Sequence, residues 1–113
     1  MNRRGEAAES LAANFLRAQG LAISERNYRC RFGEIDLIAR EGATLVFVEV
    51  RQRRSESYGG AAASITAAKR ARLIAAARHY LARHRALPLC RFDAVLIRGD
   101  PPRIEWIRNA FGE

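Results

Sequence analysis

Residues 33–53 constrain the fold of this chain most, because apolar and charged residues alternate along almost the whole segment. Such alternation is typical of strands, whose successive side chains point to opposite faces of a sheet. The pair Gly42-Ala43 interrupts the pattern, and glycine in the first position of a two-residue loop favours a type II′ turn. The segment is therefore predicted to form an antiparallel hairpin in which residue i lies opposite residue 85 − i.

This register gives the hairpin one apolar face and one face that carries charge. The apolar face, predicted to be core, consists of Ile35, Leu37, Ala39, Val46, Val48 and Val50. The other face carries Glu34, Asp36, Glu49, Arg51 and Arg53, with Ile38, Leu45 and Phe47 near the turn. A shift of one residue would place the carboxylates in the core, so the register is well specified.

Asp36 lies opposite Glu49 in this hairpin, and Arg51 follows Glu49 on the same face. Directly opposed Cβ atoms are roughly 5 Å apart, so the two carboxylates repel each other unless a cation lies between them. Mg²⁺ and Mn²⁺ prefer oxygen ligands and fit this position. A metal held by acids beside a fixed positive charge is what phosphodiester hydrolysis requires. Ordinary surface ion pairs, Glu34–Arg51 or Glu49–Arg51, are the alternative.

The net charge of +8 is concentrated in one part of the chain. Residues 51–85 contain nine Lys or Arg and one acid, which accounts for the whole excess. A basic protein is attracted to polyanions, of which nucleic acid is the commonest and an anionic membrane the competing choice. Because no apolar run is long enough for a transmembrane helix and the N-terminus lacks a signal-peptide core, we expect a cytoplasmic protein without a membrane partner.

The rest of the chain predicts a single α/β domain over residues 1–113, with helices flanking a mixed sheet in the order α-β-β-β-α-β-β. Before the hairpin, a helix is predicted over 5–19, capped by Gly20, and a strand over 21–29. After the hairpin, a loop is predicted over 55–64, followed by a helix that begins at Ser64 or Thr66, runs to about Arg85 and is ended by Pro88. Two further strands are predicted over 90–98 and 103–107. Cys30 and Cys90 are expected to be reduced and mostly buried thiols.

The second helix is predicted to carry a basic stripe beside the acids. The stripe consists of Lys69, Arg72, His79 and Arg83, and the opposite side, predicted to pack on the sheet, carries Leu73, Ile74, Ala77, Tyr80 and Leu81. Together with Arg51, Arg53 and Arg54, the stripe is predicted to bind a phosphate backbone. A solvated charged face is the alternative. Trp106 is expected to pack in the core or at an edge, and Tyr58 to lie in a loop over the site.

Five blocks of sequence resemble the YraN family of small bacterial proteins. They are "GEAAESLAANFLRAQG", "ERNYRCRFGEIDLIAREG", "LVFVEVRQRRS", "YGGAAASIT" and "CRFDAVLI", which occur in the family's order and cover nearly the whole chain. An acid followed about a dozen residues later by Glu-x-Arg also resembles the PD-(D/E)XK nuclease superfamily. The resemblance implies a restriction-endonuclease-like fold related to archaeal Holliday-junction resolvases, and it implies a homodimer.

The resemblance also implies roles for particular residues. Asp36 and Glu49 match the two acids that bind Mg²⁺ or Mn²⁺, and Glu9 matches an acid that a helix adds to the site. Arg51 stands where the superfamily usually has lysine, and arginine is suited to clamping phosphate rather than to exchanging protons. Lys69 could replace that lysine, since some superfamily members take it from the following helix. A solvated cation is the alternative for Lys69.

Three classes of function follow from these observations. The first is a divalent-metal-dependent endonuclease, or nuclease-like protein, that acts on branched or damaged DNA. The second is a non-catalytic nucleic-acid-binding protein with a degenerate nuclease site. The third is an interaction subunit whose basic face docks on an acidic protein or on the ribosome. Metal-dependent loss of DNA separates the first class from the second, and a linear log–log dependence of binding on salt separates both from the third.

Overall fold

The computed structural model describes residues 3–53 and 65–112, with the side chains of the first helix from Glu6 onward. Its elements are α1 (Arg3–Ala18), β1 (Ala22–Cys30), β2 (Gly33–Glu41), β3 (Thr44–Arg53), α2 (Ala67–Leu81), β4 (Cys90–Arg98) and β5 (Arg103–Phe111). The predicted order of elements is thus confirmed. The predictions for Arg54, for Tyr58 and the loop over 55–64, and for Ser64 as a helix cap lie outside the described residues.

The five strands form one mixed sheet in the order β1-β2-β3-β4-β5. Neighbouring strands are antiparallel except β3 and β4, which pair in parallel. Antiparallel neighbours can be joined by short turns, whereas a parallel pair needs a crossover connection. Helix α2 lies in the crossover between β3 and β4, so the predicted mixed sheet with flanking helices is confirmed.

One helix covers each face of the sheet, which explains why most of the hairpin is apolar on both faces. Helix α1 packs on Leu37, Ala39, Val46, Val48 and Val50 through Ala8, Ala12, Ala13 and Leu16. Helix α2 packs on Ile38, Leu45, Phe47 and Phe92 through Leu73, Ala76, Ala77 and Tyr80. Each large apolar side chain buried in these layers contributes about 1.5–3 kcal/mol to the transfer term that favours folding.

Capping residues fix the ends of both helices. Gly20 follows α1 and has φ of 99°. The Gly20 N–H donates a hydrogen bond to Arg17 O, and the Leu21 N–H donates one to Leu16 O. These are the two hydrogen bonds of a Schellman motif. At the start of α2, the Thr66 hydroxyl accepts a hydrogen bond of 3.2 Å from the Lys69 N–H. Both predicted caps are confirmed.

Helix α2 is shorter than the sequence predicts. It ends at Leu81 rather than near Arg85, because the His84 N–H bonds Leu81 O at 2.9 Å and tightens the chain into a turn. Pro88 therefore lies in the connection to β4 and does not end the helix directly. Strand β5 is longer than predicted and continues to Phe111.

The predicted hairpin register is confirmed from Leu37↔Val48 to Glu41↔Thr44. Gly42 has φ of 59° and Ala43 does not have positive φ, as a type II′ turn requires. Ile35 is buried in the core as predicted, but the face predicted for it is wrong. Ile35 packs with Tyr28 in the α2 layer, so the alternation of faces breaks between Ile35 and Leu37.

The break coincides with a distortion of the neighbouring strand. Asn27 lies between the pairs Arg26↔Leu37 and Tyr28↔Ile35 and has φ of 53°, in the left-handed region that asparagine tolerates better than most residues. Asp36 lies at this point of β2. Local irregularities of this kind in a strand re-aim side chains, and they are frequent next to functional sites.

A buried acid organises β4 and β5. Asp93 is fully buried, and its carboxylate accepts hydrogen bonds from Arg91 Nε at 3.0 and 3.2 Å, from Trp106 Nε1 at 2.9 Å and from the Asn109 N–H at 2.9 Å. Asn109 has φ of 52°, and the β4–β5 register shifts next to Asp93. Strand β5 thus bends toward the carboxylate, which the sequence does not reveal.

Trp106 packs at the edge of the α1 layer, as predicted. Its ring meets Phe15 edge-on at 6.2 Å, and the Arg108 guanidinium lies 3.9 Å from the ring centroid. The prediction of buried thiols is only partly right, because Cys30 is half-buried and Cys90 is exposed, and neither cysteine forms a disulfide. Among the described helices, none combines the length and the apolar character needed to cross a membrane.

Candidate metal and phosphate site

An open cleft of about 750 Å³ lies where β2 begins and β3 ends. Helix α1 lines one side with Glu9, and the first turns of α2 line the other with Lys69 and Arg72. The strands contribute Gly33, Glu34, Asp36, Glu49, Val50, Arg51, Gln52 and Arg53. Acids and cations that are far apart in the sequence therefore meet in one place.

Four acids converge in this cleft. Carboxylate oxygens of Glu9, Glu34 and Asp36 lie within 4.8 Å of one another. Asp36 also contacts Glu49 through a hydrogen bond between the two carboxyl groups. The structure thus groups two of the predicted metal ligands, Glu9 and Asp36, with Glu34. The third predicted ligand, Glu49, joins this group through its hydrogen bond to Asp36.

The crowded acids perturb one another. Burial, followed by the charge of Glu49 and the hydrogen bond to its carboxylate, raises the pKa of Asp36 to about 8, although the Val50 N–H donates to Asp36 Oδ2 at 2.9 Å. Burial and the charge of Asp36 likewise raise the pKa of Glu9. At neutral pH without a cation, Asp36 therefore retains a proton, because the cleft contains more negative charge than it can neutralise.

Two buried polar atoms in the cleft have no hydrogen-bond partner among the described residues. They are Glu9 Oε1, an acceptor, and Arg51 Nε, a donor. A buried polar group without a partner costs about 1–3 kcal/mol, so such groups in a folded protein call for a bound partner. The two atoms have opposite requirements, and a cation with an attached phosphate oxygen would satisfy both.

The donor set fits a hard divalent cation. Carboxylate oxygens are the ligands that Mg²⁺ and Mn²⁺ prefer, and none of the described residues that line the cleft is a soft donor. The orphaned oxygen of Glu9 and the raised pKa of Asp36 both indicate a place where positive charge is lacking. Glu9, Asp36 and Glu49 would hold the metal, with Glu34 beside them.

Arg51 bonds to a cleft acid. Its Nη2 atom lies 2.5 Å from Glu49 Oε2, so the ion pair that the alternative interpretation predicted is present. Glu34 pairs with Arg29 at 2.6 Å, and not with Arg51. The Glu49–Arg51 pair is buried on its acid side, unlike an ordinary surface ion pair, and Arg51 Nε has no acceptor within the part of the chain that the structure describes.

The predicted basic stripe divides into two parts. Lys69 and Arg72 line the cleft, as does Arg53 from β3. His79, farther along α2, and Arg83, just beyond its end, pack on β1. There His79 Nδ1 is 2.5 Å from the Tyr28 hydroxyl, and the Arg83 guanidinium lies 5.5 Å from the Tyr28 ring centroid. These two residues are outside the cleft.

Asn27 contributes to the site although the sequence gives no strong indication of it. Its side chain forms a hydrogen bond with Glu9 that lowers the pKa of that acid and opposes the effect of burial. The left-handed backbone at Asn27 lies within β1, beside Asp36 of β2. A turn-favouring residue inside a strand pattern, as in "ERNYR", is the only signal that could have identified it.

The fold and the cleft define a small α/β protein with an acid-rich cleft flanked by arginines and a lysine. Residues 8–97 match the model of the uncharacterised protein family UPF0102, so the chain belongs to this family and the resemblance to YraN proteins is confirmed.

Similar proteins occur across several bacteria. A UPF0102 protein of Nitrosomonas europaea is 65% identical over 97% of this chain and 94% of its own length. Another from Methylobacillus flagellatus is 57% identical over 98% of both chains, and one from Aeromonas hydrophila is 53% identical over 96% of this chain and 84% of its own.

Proposed function

We propose that this protein is a divalent-metal-dependent phosphodiester hydrolase acting on DNA, with branched or damaged DNA as its substrate. The observation that carries the proposal is the pair of orphaned buried atoms, Glu9 Oε1 and Arg51 Nε, in a cleft where four carboxylates converge. The Glu9 oxygen can accept from a donor or bind a cation, and the Arg51 N–H can donate to an acceptor such as an anion. A metal ion and a phosphate group are the pair of ligands that satisfies both.

In this proposal the acids of the cleft bind the metal, and its cations bind the phosphate. Glu9, Asp36 and Glu49 hold the metal, which supplies Lewis-acid polarisation of the phosphate and activation of water. Arg51 presents Nε toward a phosphate oxygen while its Nη2 stays on Glu49, so the guanidinium is fixed before substrate binds. Lys69 and Arg72 attract the phosphate backbone from the α2 side.

The proposal includes a restriction-endonuclease-like fold of the PD-(D/E)XK superfamily. The order of elements supports it, as does the placement of Asp36 and Glu49 on adjacent strands with a helix-borne Glu9 beside them. A homodimer and a cytoplasmic location stay predictions.

Calorimetric titration with Mn²⁺ at pH 8 tests the metal site directly. The wild-type protein is expected to bind Mn²⁺ with measurable heat, whereas Asp36→Ala is expected to bind at least about tenfold more weakly because a central ligand is lost. Glu105→Gln is the matched control. Glu105 is an exposed acid paired with Arg98, and it does not line the cleft.

Proton release gives a second readout of the same titration. Metal binding must displace the proton that Asp36 retains, so the heat is expected to depend on the ionisation enthalpy of the buffer. The proposal is refuted if the wild type gives no heat with either Mg²⁺ or Mn²⁺, alone or with a DNA oligomer present. Equal binding by the wild type and Asp36→Ala would refute it as well.

A non-catalytic nucleic-acid-binding protein is the second candidate, and the state of Arg51 favours it. Arg51 is a permanently charged group paired with Glu49, so it cannot exchange a proton with water as lysine can. The metal and the phosphate would then bind without cleavage.

Arg51→Lys distinguishes the two candidates. For a hydrolase in which Arg51 clamps phosphate, we expect Arg51→Lys to cleave DNA at a rate of the same order as the wild type, because a cation remains at the position. Cleavage of labelled branched and linear DNA with Mg²⁺ measures this. DNA binding without cleavage by the wild type, together with cleavage by Arg51→Lys, would establish that arginine inactivates the site.

A further inference from the structure

An exposed aromatic residue, Phe32, directly precedes Gly33, which lines the cleft. Phe32 occupies, with Arg31, the two-residue turn between β1 and β2 that is closed by the pair Cys30↔Gly33. Turns of this kind usually carry glycine or polar residues. Phe32 is nevertheless 40% exposed, and it is the only aromatic residue among the large apolar side chains that are exposed in the described residues.

The ring is held in place without being covered. The Arg31 guanidinium lies 4.8 Å from the ring centroid, and the His79 ring meets it edge-on at 5.9 Å. His79 is in turn fixed by the Tyr28 hydroxyl at 2.5 Å from Nδ1. We call Arg31, Phe32 and His79 the Phe32 shelf. It is a preformed aromatic and cationic surface, so a ligand that binds there does not have to order it first.

The Phe32 shelf adjoins the cleft through Gly33. Gly33 lines the cleft and has φ of 154°, and a Cβ atom at this position would lie 3.4 Å from Arg72 Cβ. The β1–β2 turn therefore lies close against α2 beside Arg72, which also lines the cleft. A chain of phosphates passing Lys69 and Arg72 would bring its bases past Phe32.

We propose that the Phe32 shelf stacks an unpaired base of the nucleic acid whose backbone occupies the cleft, so that the substrate is single-stranded or has a single-stranded segment beside the bound phosphate. This inference rests on the proposed function and specifies its substrate. Aromatic rings and arginine guanidinium planes stack on the faces of unpaired bases of any sequence. In a continuous duplex the faces of the paired bases are stacked on one another, so Phe32 cannot reach them.

Fluorescence of 2-aminopurine tests the inference without requiring cleavage. A thymine oligomer with one central 2-aminopurine is titrated with protein in EDTA, as a single strand and as a duplex. We expect the single strand to bind more tightly and its fluorescence to be quenched on binding. Phe32→Ala is expected to weaken single-strand binding by about five- to a hundredfold and to abolish the quenching, whereas Phe32→Tyr keeps both.

Leu87→Ala is the matched control, because Leu87 is 82% exposed and lies in the α2–β4 connection outside the cleft. It should bind both oligomers as the wild type does. Thermal unfolding should be unchanged in both alanine variants, since neither side chain is buried.

The outcomes separate this inference from the proposed function. Wild-type affinity of Phe32→Ala for the single strand, or an equal loss on duplex and single strand, overturns the stacking and leaves the proposed function standing. Failure of the wild type to bind either oligomer, both in EDTA and with Ca²⁺ in place of Mg²⁺, overturns both. A change in oligomeric state of Phe32→Ala, measured by size-exclusion chromatography, would assign the shelf to contacts between copies of the chain and overturn the stacking.

Discussion

Asp36→Asn is expected to stabilise the metal-free protein at pH 8 by about 3–6 kcal/mol, although it removes a central residue of the cleft. The pKa of Asp36 rises from 3.8 to about 8 on folding, mainly through burial and the charge of Glu49. One pKa unit corresponds to about 1.4 kcal/mol. Asparagine has no proton to lose, and its amide oxygen can still accept the hydrogen bond from the Val50 N–H.

The sign of the effect follows from proton linkage. The pKa of Asp36 is higher in the folded state than in the unfolded state. Between about pH 4 and pH 8 the folded state therefore keeps the Asp36 proton, whereas the unfolded state has already released it. The contribution of Asp36 to stability is fully present below pH 3.8 and is lost as the pH rises through about 8. Wild type and Asp36→Asn should therefore be similar in stability near pH 4 and diverge as the pH increases.

Urea unfolding in EDTA at pH 5, 7 and 9 measures this divergence. Glu105→Gln, which neutralises an exposed acid outside the cleft, should follow the wild type at all three pH values. Parallel pH profiles for wild type and Asp36→Asn would contradict the crowding of acids in the cleft. Stabilisation on loss of a functional group is the usual sign of a site whose charges are arranged for a ligand rather than for folding.

Asp93→Ala is expected to have the opposite effect and to destabilise the protein by about 3–5 kcal/mol. The substitution removes the shared acceptor of Arg91 Nε, Trp106 Nε1 and the Asn109 N–H, all within 3.2 Å of the carboxylate. These donors would then lack an acceptor in a region where Asp93 is fully buried, and each unsatisfied buried donor adds its own desolvation cost.

Urea unfolding at pH 7 tests the role of Asp93 against an exposed acid. Glu105→Ala breaks the exposed pair with Arg98 and should cost no more than about 1 kcal/mol. The two variants remove an acid from neighbouring strands, so the difference between them isolates burial and hydrogen bonding. A loss of less than about 1 kcal/mol for Asp93→Ala would show that β5 is held by its other contacts.

The hairpin was predictable from the sequence because its signals are local. The period of two, a glycine at the turn and the cost of burying charge together specify the register from Leu37↔Val48 to the turn. The misplacement of Ile35 has a non-local cause. The left-handed residue Asn27 on the neighbouring strand lies between the pairs Arg26↔Leu37 and Tyr28↔Ile35, and a pattern within one strand carries no information about its neighbour.

The site was predicted in part for the same reason. Asp36 and Glu49 follow from the register alone, whereas Glu9 came only through resemblance, because nothing in α1 indicates which of its residues faces the strands. The partners of Arg51 and Glu34 depend on rotamers of long side chains, and the sequence left Glu34–Arg51 and Glu49–Arg51 open. The sequence pattern of α2 could not show that His79 lies apart from Lys69 and Arg72, because His79 packs on Tyr28, which belongs to β1.

Asp93 and the cleft acids Asp36 and Glu49 belong to one small sheet but share no hydrogen-bond partner among the described residues. The consequence concerns how such a protein can evolve. Substitutions in the cleft change its chemistry while the contacts that fasten β4 to β5 stay intact. A lineage could therefore move from cutting nucleic acid to merely holding it through single amino-acid replacements, each of which leaves a foldable protein. The choice between lysine and arginine at position 51 would be one such replacement.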